Sequence, residues 1–392
     1  MAAVKEETKT GGSNIGPRIA SLIGRKLHLQ ENHPIEIMKR EIVAILGGFA
    51  CIDDLDPFVT TEQNFDSLRM PKDHSSRKRS DSFFSADGKV LRTHTSAHQV
   101  DLLRLGHRRF VVVGVYRRDQ IDRTHYPVFH QMEGLCILET AELEEAKLTP
   151  PIIVIPKETK DHEEEKKEDL IPMPLAAICL LTKLTSLLTH MFPNCRMRIR
   201  EHHFYFTDPS YEIDIQDKTA NPDAEKEWLE VLGCGVVHLD IMSSGLMGNP
   251  DKRVAWAFGI GLERLVMLRC SIPDIRMLWC TSRKFLDQYS DGKLNKFVPF
   301  TEVNRRTCDI SFWLPVLPFV FEENDLSDLI RELTNDCEEV TMLSEFKHPT
   351  DPTKIARGLS AHSFNQFGYS QSCCFSRTSG GIRISIASHD SV

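Results

Sequence analysis

Apolar positions along the chain follow two periods. Between 33 and 50, HPIEIMKREIVAILGGFA places isoleucine, methionine, valine and leucine three and four apart, the spacing of one helical face. The stretch PLAAICLLTKLTSLLTHMF at 174–192 is mostly apolar but interrupted by Lys183 and several Thr and Ser, so it predicts a packed helix and not a membrane span. FVVVGVY at 110–116 is a continuous β-branched run typical of a buried strand, and VFHQMEGLCILE at 128–139 predicts a second strand. Because side chains alternate, Phe129, Gln131, Glu133, Leu135 and Ile137 share one face of that strand. Two polar groups on an otherwise apolar face require a ligand or a buried partner.

Further strand-like pieces follow in MRIREHHFYF, YEIDIQD and WLEVLGCGVVHLDI, and AWAFGIGLERLVMLRCSIPDI runs from a strand through a Gly-x-Gly turn into a helix. Clustered strands with a few helices predict an α+β architecture, an antiparallel sheet flanked by helices, and there is no internal repeat. Residues 1–35 read as a flexible tip and one basic helix, in IGPRIASLIGRKLH. The polar stretch MPKDHSSRKRSDSFFSADGK after residue 69 reads as a surface loop, and KETKDHEEEKKED at 157–169 as a solvated insertion between two halves of a domain spanning 36–298.

Composition narrows the classes. The 392 residues are 41% hydrophobic and 27% charged, which excludes a disordered or fibrous chain. A formal charge of −8 excludes a protein that coats nucleic acid indiscriminately, so any RNA contact is regional. Eleven cysteines without a C-x-x-C pair speak against a structural zinc site and for reduced thiols. The start MAAVKEETKTGG has no apolar core of a secretory signal, and Glu6 and Glu7 make it a poor match to an organellar presequence.

Two stretches carry chemistry. VYRRDQIDRTHYPVFHQMEG at 115–134 puts Arg117, Arg118 and Arg123 beside Asp119 and Glu133, and FGIGLERL at 258–265 joins Gly259 and Gly261 to Arg264 one turn into a helix. Glycines let a backbone approach a ligand closely, and planar guanidinium groups bind phosphate oxygens in pairs without losing their charge. No phosphate-binding G-x-x-x-x-G-K-[ST] loop or dinucleotide G-x-G-x-x-G motif is present. A carboxylate attacking an α-phosphate needs positioning and charge neutralisation more than proton transfer, which fits a site without an obvious general base.

These two stretches resemble motifs 2 and 3 of the class II aminoacyl-tRNA synthetases. With RTHTSAHQ at 92–99, HFYFTDPS at 203–210, WLEVLGCG at 228–235 and IPDIR after motif 3, the chain resembles the phenylalanyl-tRNA synthetases of the single-chain mitochondrial type, over roughly 20–348. The resemblance implies a phenylalanine–tRNA ligase that uses ATP with Mg2+, L-phenylalanine and tRNA(Phe), acts as a monomer and resides in the mitochondrial matrix, with the cytosol as the alternative. It implies that Arg117 contacts the α-phosphate and Arg264 the far end of a bent ATP, while Asp119 stands where the family often has glutamate. His94 and Ser96 match residues near the substrate's ammonium and carboxylate, with Ala97, His98 and Gln99 in the same loop. Thr124, His125 and Tyr126 fall in the motif 2 loop over ATP, and Gln131 and Glu133, with Met132 between them, match the pair that binds the ammonium group. Phe204 and Phe206 share a strand face in this reading and line the side-chain pocket edge-to-face with the substrate ring. Tyr205 replaces the proline often found between them, Phe258 matches a stacking residue, and Glu230 matches an acidic residue at the rim, where it either helps hold magnesium or pairs with an arginine. An apolar pocket separates phenylalanine from tyrosine by only about a hundredfold, and no additional domain large enough for editing is evident.

The family closes with a ferredoxin-like domain for the anticodon stem. DISFWLP, ENDLSDLIREL and EEVTMLSEFKHP match its first strand, helix and next strand, and the match then fails, leaving a partial domain at 299–349 and a divergent Ser-rich tail at 350–392 that lacks helical periodicity. Three functions stay open on this basis: a full synthetase, an adenylate-forming remnant with impaired charging, and a synthetase-like RNA-binding or regulatory protein. Retention of Arg117, Gln131, Glu133 and Arg264 argues against the last.

Overall fold

The computed structural model describes residues 12–106, 108–145, 174–217, 228–245, 252–300, 305–314, 323–333, 337–347, 355–364 and 385–387. The insertion expected at 157–169 lies outside them. Thirteen strands and ten α-helices are used below. In chain order they are α1 (Pro17–Leu22), α2 (Pro34–Leu46), β1 (Ala50–Ile52), β2 (Phe58–Val59), α3 (Thr61–Asn64), β3 (Val90–Leu91), α4 (Gln99–Leu105), β4 (Arg108–Tyr116), β5 (Val128–Glu139), α5 (Thr140–Glu145), α6 (Leu175–Met191), β6 (Cys195–Phe204), β7 (Thr207–Asp217), β8 (Leu229–Val237), α7 (Leu239–Gly245), β9 (Arg253–Gly261), α8 (Leu262–Cys270), α9 (Arg283–Leu286), β10 (Arg305–Trp313), α10 (Glu323–Leu333), β11 (Cys337–Lys347), β12 (Ile355–Phe364) and β13 (Ser385–Ala387).

Seven strands form the main sheet in the order β1-β4-β5-β9-β8-β7-β6. All pairings are antiparallel except β1 with β4, so the sheet is mixed where a purely antiparallel one was expected. A three-residue strand carries too short a pattern to show its direction. The FVVVGVY and VFHQMEGLCILE stretches become β4 and β5, with Val111 opposite Glu133 and Val113 opposite Gln131. One face of the sheet is covered by α2, α6 and α8, whose buried Ile37, Met38, Leu180, Leu184 and Leu265 join Met132, Cys136, Trp256 and Ile260 in the larger core cluster. α6 packs its apolar face there, and among the described residues no helix is long and apolar enough to cross a membrane. A smaller cluster on the opposite face sets Leu102, Leu103, Ile241 and Met242 of α4 and α7 against Val111, Val113 and Leu135. Those helices cover only one end of that face, and the open remainder is the floor of a cavity.

Helix starts follow local chemistry. His33 caps α2 by accepting the Ile35 N–H at 3.2 Å, and Pro34 occupies the first turn, where its missing N–H costs nothing. Thr60 and Gln63 form a reciprocal capping box on α3.

The second sheet is antiparallel, in the order β11-β12-β10-β13. Numbered by sequence from β10, this is 4-1-3-2, the order of a ferredoxin-like βαββαβ sheet. The sequence-based boundary at 349 is corrected here, because Ile355–Phe364, assigned to the divergent tail, is the strand between β10 and β11. Its Ala, Gly and Ser residues show no alternation; the free backbone edges of two flanking strands define it instead.

Candidate active site

A cavity of about 560 Å³ lies on the open face of the main sheet, within the range of small-ligand sites. Alternation builds its floor. On β5, Phe129, Gln131 and Glu133 face the cavity, and on β9 Ala257, Gly259 and Gly261 do so, paired as Gln131 with Gly261 and Glu133 with Gly259. A Cβ on Gly259 would sit 3.2 Å from the Gln131 amide nitrogen, so the glycine leaves room for that side chain. Met132 belongs to β5 but to the other face, and Phe258 of β9 borders the cavity while its ring joins the core. Met132 is wholly buried in the core, and the Phe258 ring packs 6.3 Å from Phe110 and 6.2 Å from Trp256. The expectation that Met132 meets substrate is therefore corrected by strand parity, while Phe258, expected near the site, borders the cavity.

Gln131 and Glu133 are held from above by the segment 94–99. The Gln131 carbonyl accepts from the Thr95 N–H at 3.0 Å, and Glu133 accepts from the Ser96 hydroxyl at 2.7 Å and the Gln99 amide at 3.4 Å. Burial pushes the Glu133 carboxyl up to about 7 in spite of these bonds. His94 lines the same region, its ring nearly parallel to Phe206 at 6.3 Å, and burial holds its imidazole neutral, down to about 3. Ala97 and His98 are placed elsewhere than expected: Ala97 packs with Val59, Phe65 and Val90, and His98 turns its ring to the Arg92 guanidinium behind the cavity wall.

Phe204 ends β6, and Tyr205 and Phe206 form the turn into β7, so the two phenylalanines do not share a strand face as the sequence suggested. The tight turn folds Phe206 back until the rings stack, 5.4 Å apart and 17° from parallel. Phe204 packs over β8, where a Cβ on Gly233 would come within 2.7 Å of its ring.

At the other end stand the arginines. Arg117 donates from Nε to the Thr93 carbonyl at 2.7 Å and lies 5.2 Å over the Phe129 ring, which fixes its guanidinium at the cavity edge. Burial lowers its pKa, with Asp119 opposing the shift, and an arginine stays charged regardless. Arg264, in the first turn of α8, donates to the Glu230 carbonyl at 3.0 Å and lies 3.6 Å from the Glu230 carboxylate. Thr124, His125 and Tyr126 line the cavity from the loop between β4 and β5. That loop is organised by Asp122, which accepts from the Thr124 N–H at 2.6 Å, the His125 N–H at 2.8 Å and the His125 ring at 2.5 Å. The bond to Asp122 pushes the His125 imidazole up, toward its charged form. Arg118 points away into ion pairs with Asp325 at 2.7 Å and Asp328 at 2.6 Å of α10.

Sequence reasoning missed several lining residues. Glu263 accepts from the His130 N–H at 2.8 Å and the His130 ring at 2.8 Å; burial pushes its carboxyl up to about 8 and holds His130 neutral, down to about 3. An acid one residue before Arg264, inside an otherwise apolar turn, was the available signal. Glu212 also lines the cavity, bonded to Arg200 at 2.7 Å, and its place between Tyr211 and Ile213 marks it by alternation. Ser76, Asp81 and Ser82 come from the polar stretch expected to be a surface loop, which the wholly buried Phe83 pins to the core. Among the described residues no group of three or more His, Cys, Asp or Glu side chains is placed to hold a metal ion.

Comparison with known proteins agrees with this architecture. Residues 20–154 and 176–289 match the family model described as tRNA synthetases class II core domain (F). The chain is 40% identical over 370 residues to the chloroplastic/mitochondrial phenylalanine–tRNA ligase of Arabidopsis thaliana, covering 92% of this chain and 76% of that protein. It is 38% identical to the mitochondrial phenylalanine–tRNA ligase of Mus musculus, over 86% of this chain and 76% of that one. With the mitochondrial enzyme of Saccharomyces cerevisiae the identity is 31%, over 88% and 84%.

Proposed function

Because the chain belongs to the phenylalanine–tRNA ligase family of class II aminoacyl-tRNA synthetases, we propose that it activates L-phenylalanine with ATP and transfers it to the 3′-terminal adenosine of tRNA(Phe), as a monomer in mitochondrial translation. The observation that carries this is the cavity's division into an acidic, ring-lined end and a cationic end.

Phenylalanine enters with its ring against Phe204 and Phe206 and its ammonium toward Gln131 and Glu133. The ammonium supplies the positive charge that buried Glu133 lacks beside its hydrogen bonds and draws its proton off. Its carboxylate is already ionised, so it attacks the α-phosphorus in line and displaces pyrophosphate without a general base. Arg117 neutralises the α-phosphoryl oxygens and Arg264 the far end of the bent triphosphate, charges that cannot be lost by deprotonation. A ribose hydroxyl of tRNA then attacks the adenylate carbonyl and releases AMP. The motif 2 loop, through Thr124, His125 and Tyr126, borders the entry for that hydroxyl, and the second sheet serves the anticodon stem. Glu212 and Glu230 offer hard carboxylate oxygens at the phosphate end, suited to Mg2+ that arrives with ATP and neutralises phosphate charge; two carboxylates complemented by phosphates are the usual protein share of such a site.

Charging of a tRNA(Phe) transcript with radiolabelled phenylalanine tests the full reaction. Phenylalanyl-tRNA formation is the expected result, and adenylate synthesis without any transfer contradicts it.

A further inference from the structure

The polar stretch that walls the phosphate end has an anchor outside the matched catalytic core. Asn14 precedes residue 20, where the family match begins. Its side-chain amide has two N–H donors and one carbonyl acceptor, and all three reach the segment that carries Asp81 and Ser82. Nδ2 donates to the Arg79 carbonyl at 3.0 Å and to the Ser82 carbonyl at 2.9 Å, while Oδ1 accepts from the Phe84 N–H at 2.5 Å. The Asn14 backbone N–H adds a fourth bond, to the Phe84 carbonyl at 3.1 Å, and Arg79 returns one from Nη2 to the Gly12 carbonyl at 2.5 Å.

The anchored segment is also tied to the core by Phe83, to β3 by the Leu91 N–H on the Phe83 carbonyl, and to Asn324, whose amide donates to the Ser80 carbonyl at 3.0 Å. Ser82 closes it internally through its hydroxyl to the Ser76 carbonyl at 2.6 Å, and the Asp81 carbonyl accepts from the Arg118 N–H at 3.0 Å, directly after Arg117. Displacement of 79–84 therefore moves Asp81 and Ser82, and through Arg118 the backbone that presents Arg117.

We propose that Asn14 is a positioning residue for the ATP end of the site: it sets the 79–84 segment, and through it Asp81, Ser82 and the Arg117 backbone, at the distance the triphosphate requires. This rests on the synthetase function proposed above. An amide used at all three atoms has no substitute, since alanine removes every side-chain bond and aspartate keeps the acceptor but loses both donors. The effect falls on ATP, because Gln131, Glu133 and the phenylalanine rings are held by β5, β6 and the β6–β7 turn, which Asn14 does not touch.

The test uses the full chain as Asn14→Ala, Asn14→Asp and Ser13→Ala, measured by phenylalanine-dependent pyrophosphate exchange and by amide hydrogen exchange across 76–84. In both Asn14 variants kcat/KM for ATP should fall about tenfold to a hundredfold, the scale of an ångström of misplacement. KM for phenylalanine should stay within about twofold of wild type, the Phe84 amide should lose protection in Asn14→Ala and keep it in Asn14→Asp, where the acceptor remains, and Ser13→Ala should match wild type in every readout. Should Asn14→Ala fail to fold, Asn14→Asp carries the kinetic test, because it loses both donors while its carboxylate still receives the Phe84 N–H. Unchanged kcat/KM for ATP in either variant, a loss shared equally by both substrates, or retained Phe84 protection in Asn14→Ala overturns the proposal. Wild-type protein without exchange would instead overturn the synthetase function, and amide protection alone then decides the anchor.

Discussion

The two ends of the cavity are built by different means. Gln131, Glu133, Gly259 and Gly233 stand on neighbouring strands whose ladder bonds fix every side-chain direction, and Glu133 is 1% exposed. Arg117, Thr124, His125, Asp81 and Ser82 stand on segments between the strands, ordered by side-chain bonds: Arg117 to the Thr93 carbonyl, the motif 2 loop to Asp122, and 79–84 to Asn14. A rigid end suits discrimination between small rings, where one extra atom must be felt; an adaptable end suits a triphosphate that bends and a product that leaves. The catalytic charge is thus borne by the half that lies between the strands, where side-chain bonds and not ladder bonds set the geometry.

Substitutions at each end separate the two. Arg117→Ala should have the largest effect, lowering kcat of pyrophosphate exchange by about a hundredfold to a thousandfold, as for loss of one preorganised donor; KM for phenylalanine should hardly move. Glu133→Gln comes next, raising KM for phenylalanine about tenfold or more, the equivalent of a hydrogen bond to a charged group. Its pH behaviour is diagnostic. Burial raises the carboxyl from 4.5 to about 7, so the folded state favours the protonated form: that contribution to stability is full below 4.5 and lost as pH rises through 7. The Gln variant escapes that loss and should melt higher than wild type at pH 8. In wild type, KM for phenylalanine should rise as pH falls through 7, and in the variant it should be flat.

Gly233→Ala sharpens the comparison from the rigid side. Its Cβ would come within 2.7 Å of the Phe204 ring, and a core that resists overpacking should pass the strain to the pocket, raising KM for phenylalanine about tenfold with KM for ATP unchanged. Asp122→Asn should act least, about threefold on KM for ATP, since half-exposed charge pairs contribute little. Asp122 raises His125, so the effect should grow above pH 7, where the variant's imidazole loses its charge and wild type's is retained longer.

How much of this was legible depended on which end the residues came from. β5 was read with its bounds because β-branched residues and alternation both mark it, and the same alternation singled out Gln131 and Glu133. Applied throughout, it would also have removed Met132, whose neighbours Gln131 and Glu133 already face the site. Ser76, Asp81 and Ser82 were hidden by a polar composition that says nothing of the Asn14 bonds pulling the segment inward. β12 was hidden for a related reason: its definition lies in the edges of β10 and β11, not in its own small residues. Local pattern reports faces of regular elements, whereas anchors between segments some sixty-five residues apart leave no periodic trace.

The central claim is that this cavity joins phenylalanine to ATP. The most direct measurement is pyrophosphate exchange into ATP with a panel of amino acids, tyrosine included. Exchange that depends on phenylalanine, with tyrosine about a hundredfold weaker, is the predicted result; exchange with another amino acid in preference, or with none, would contradict it.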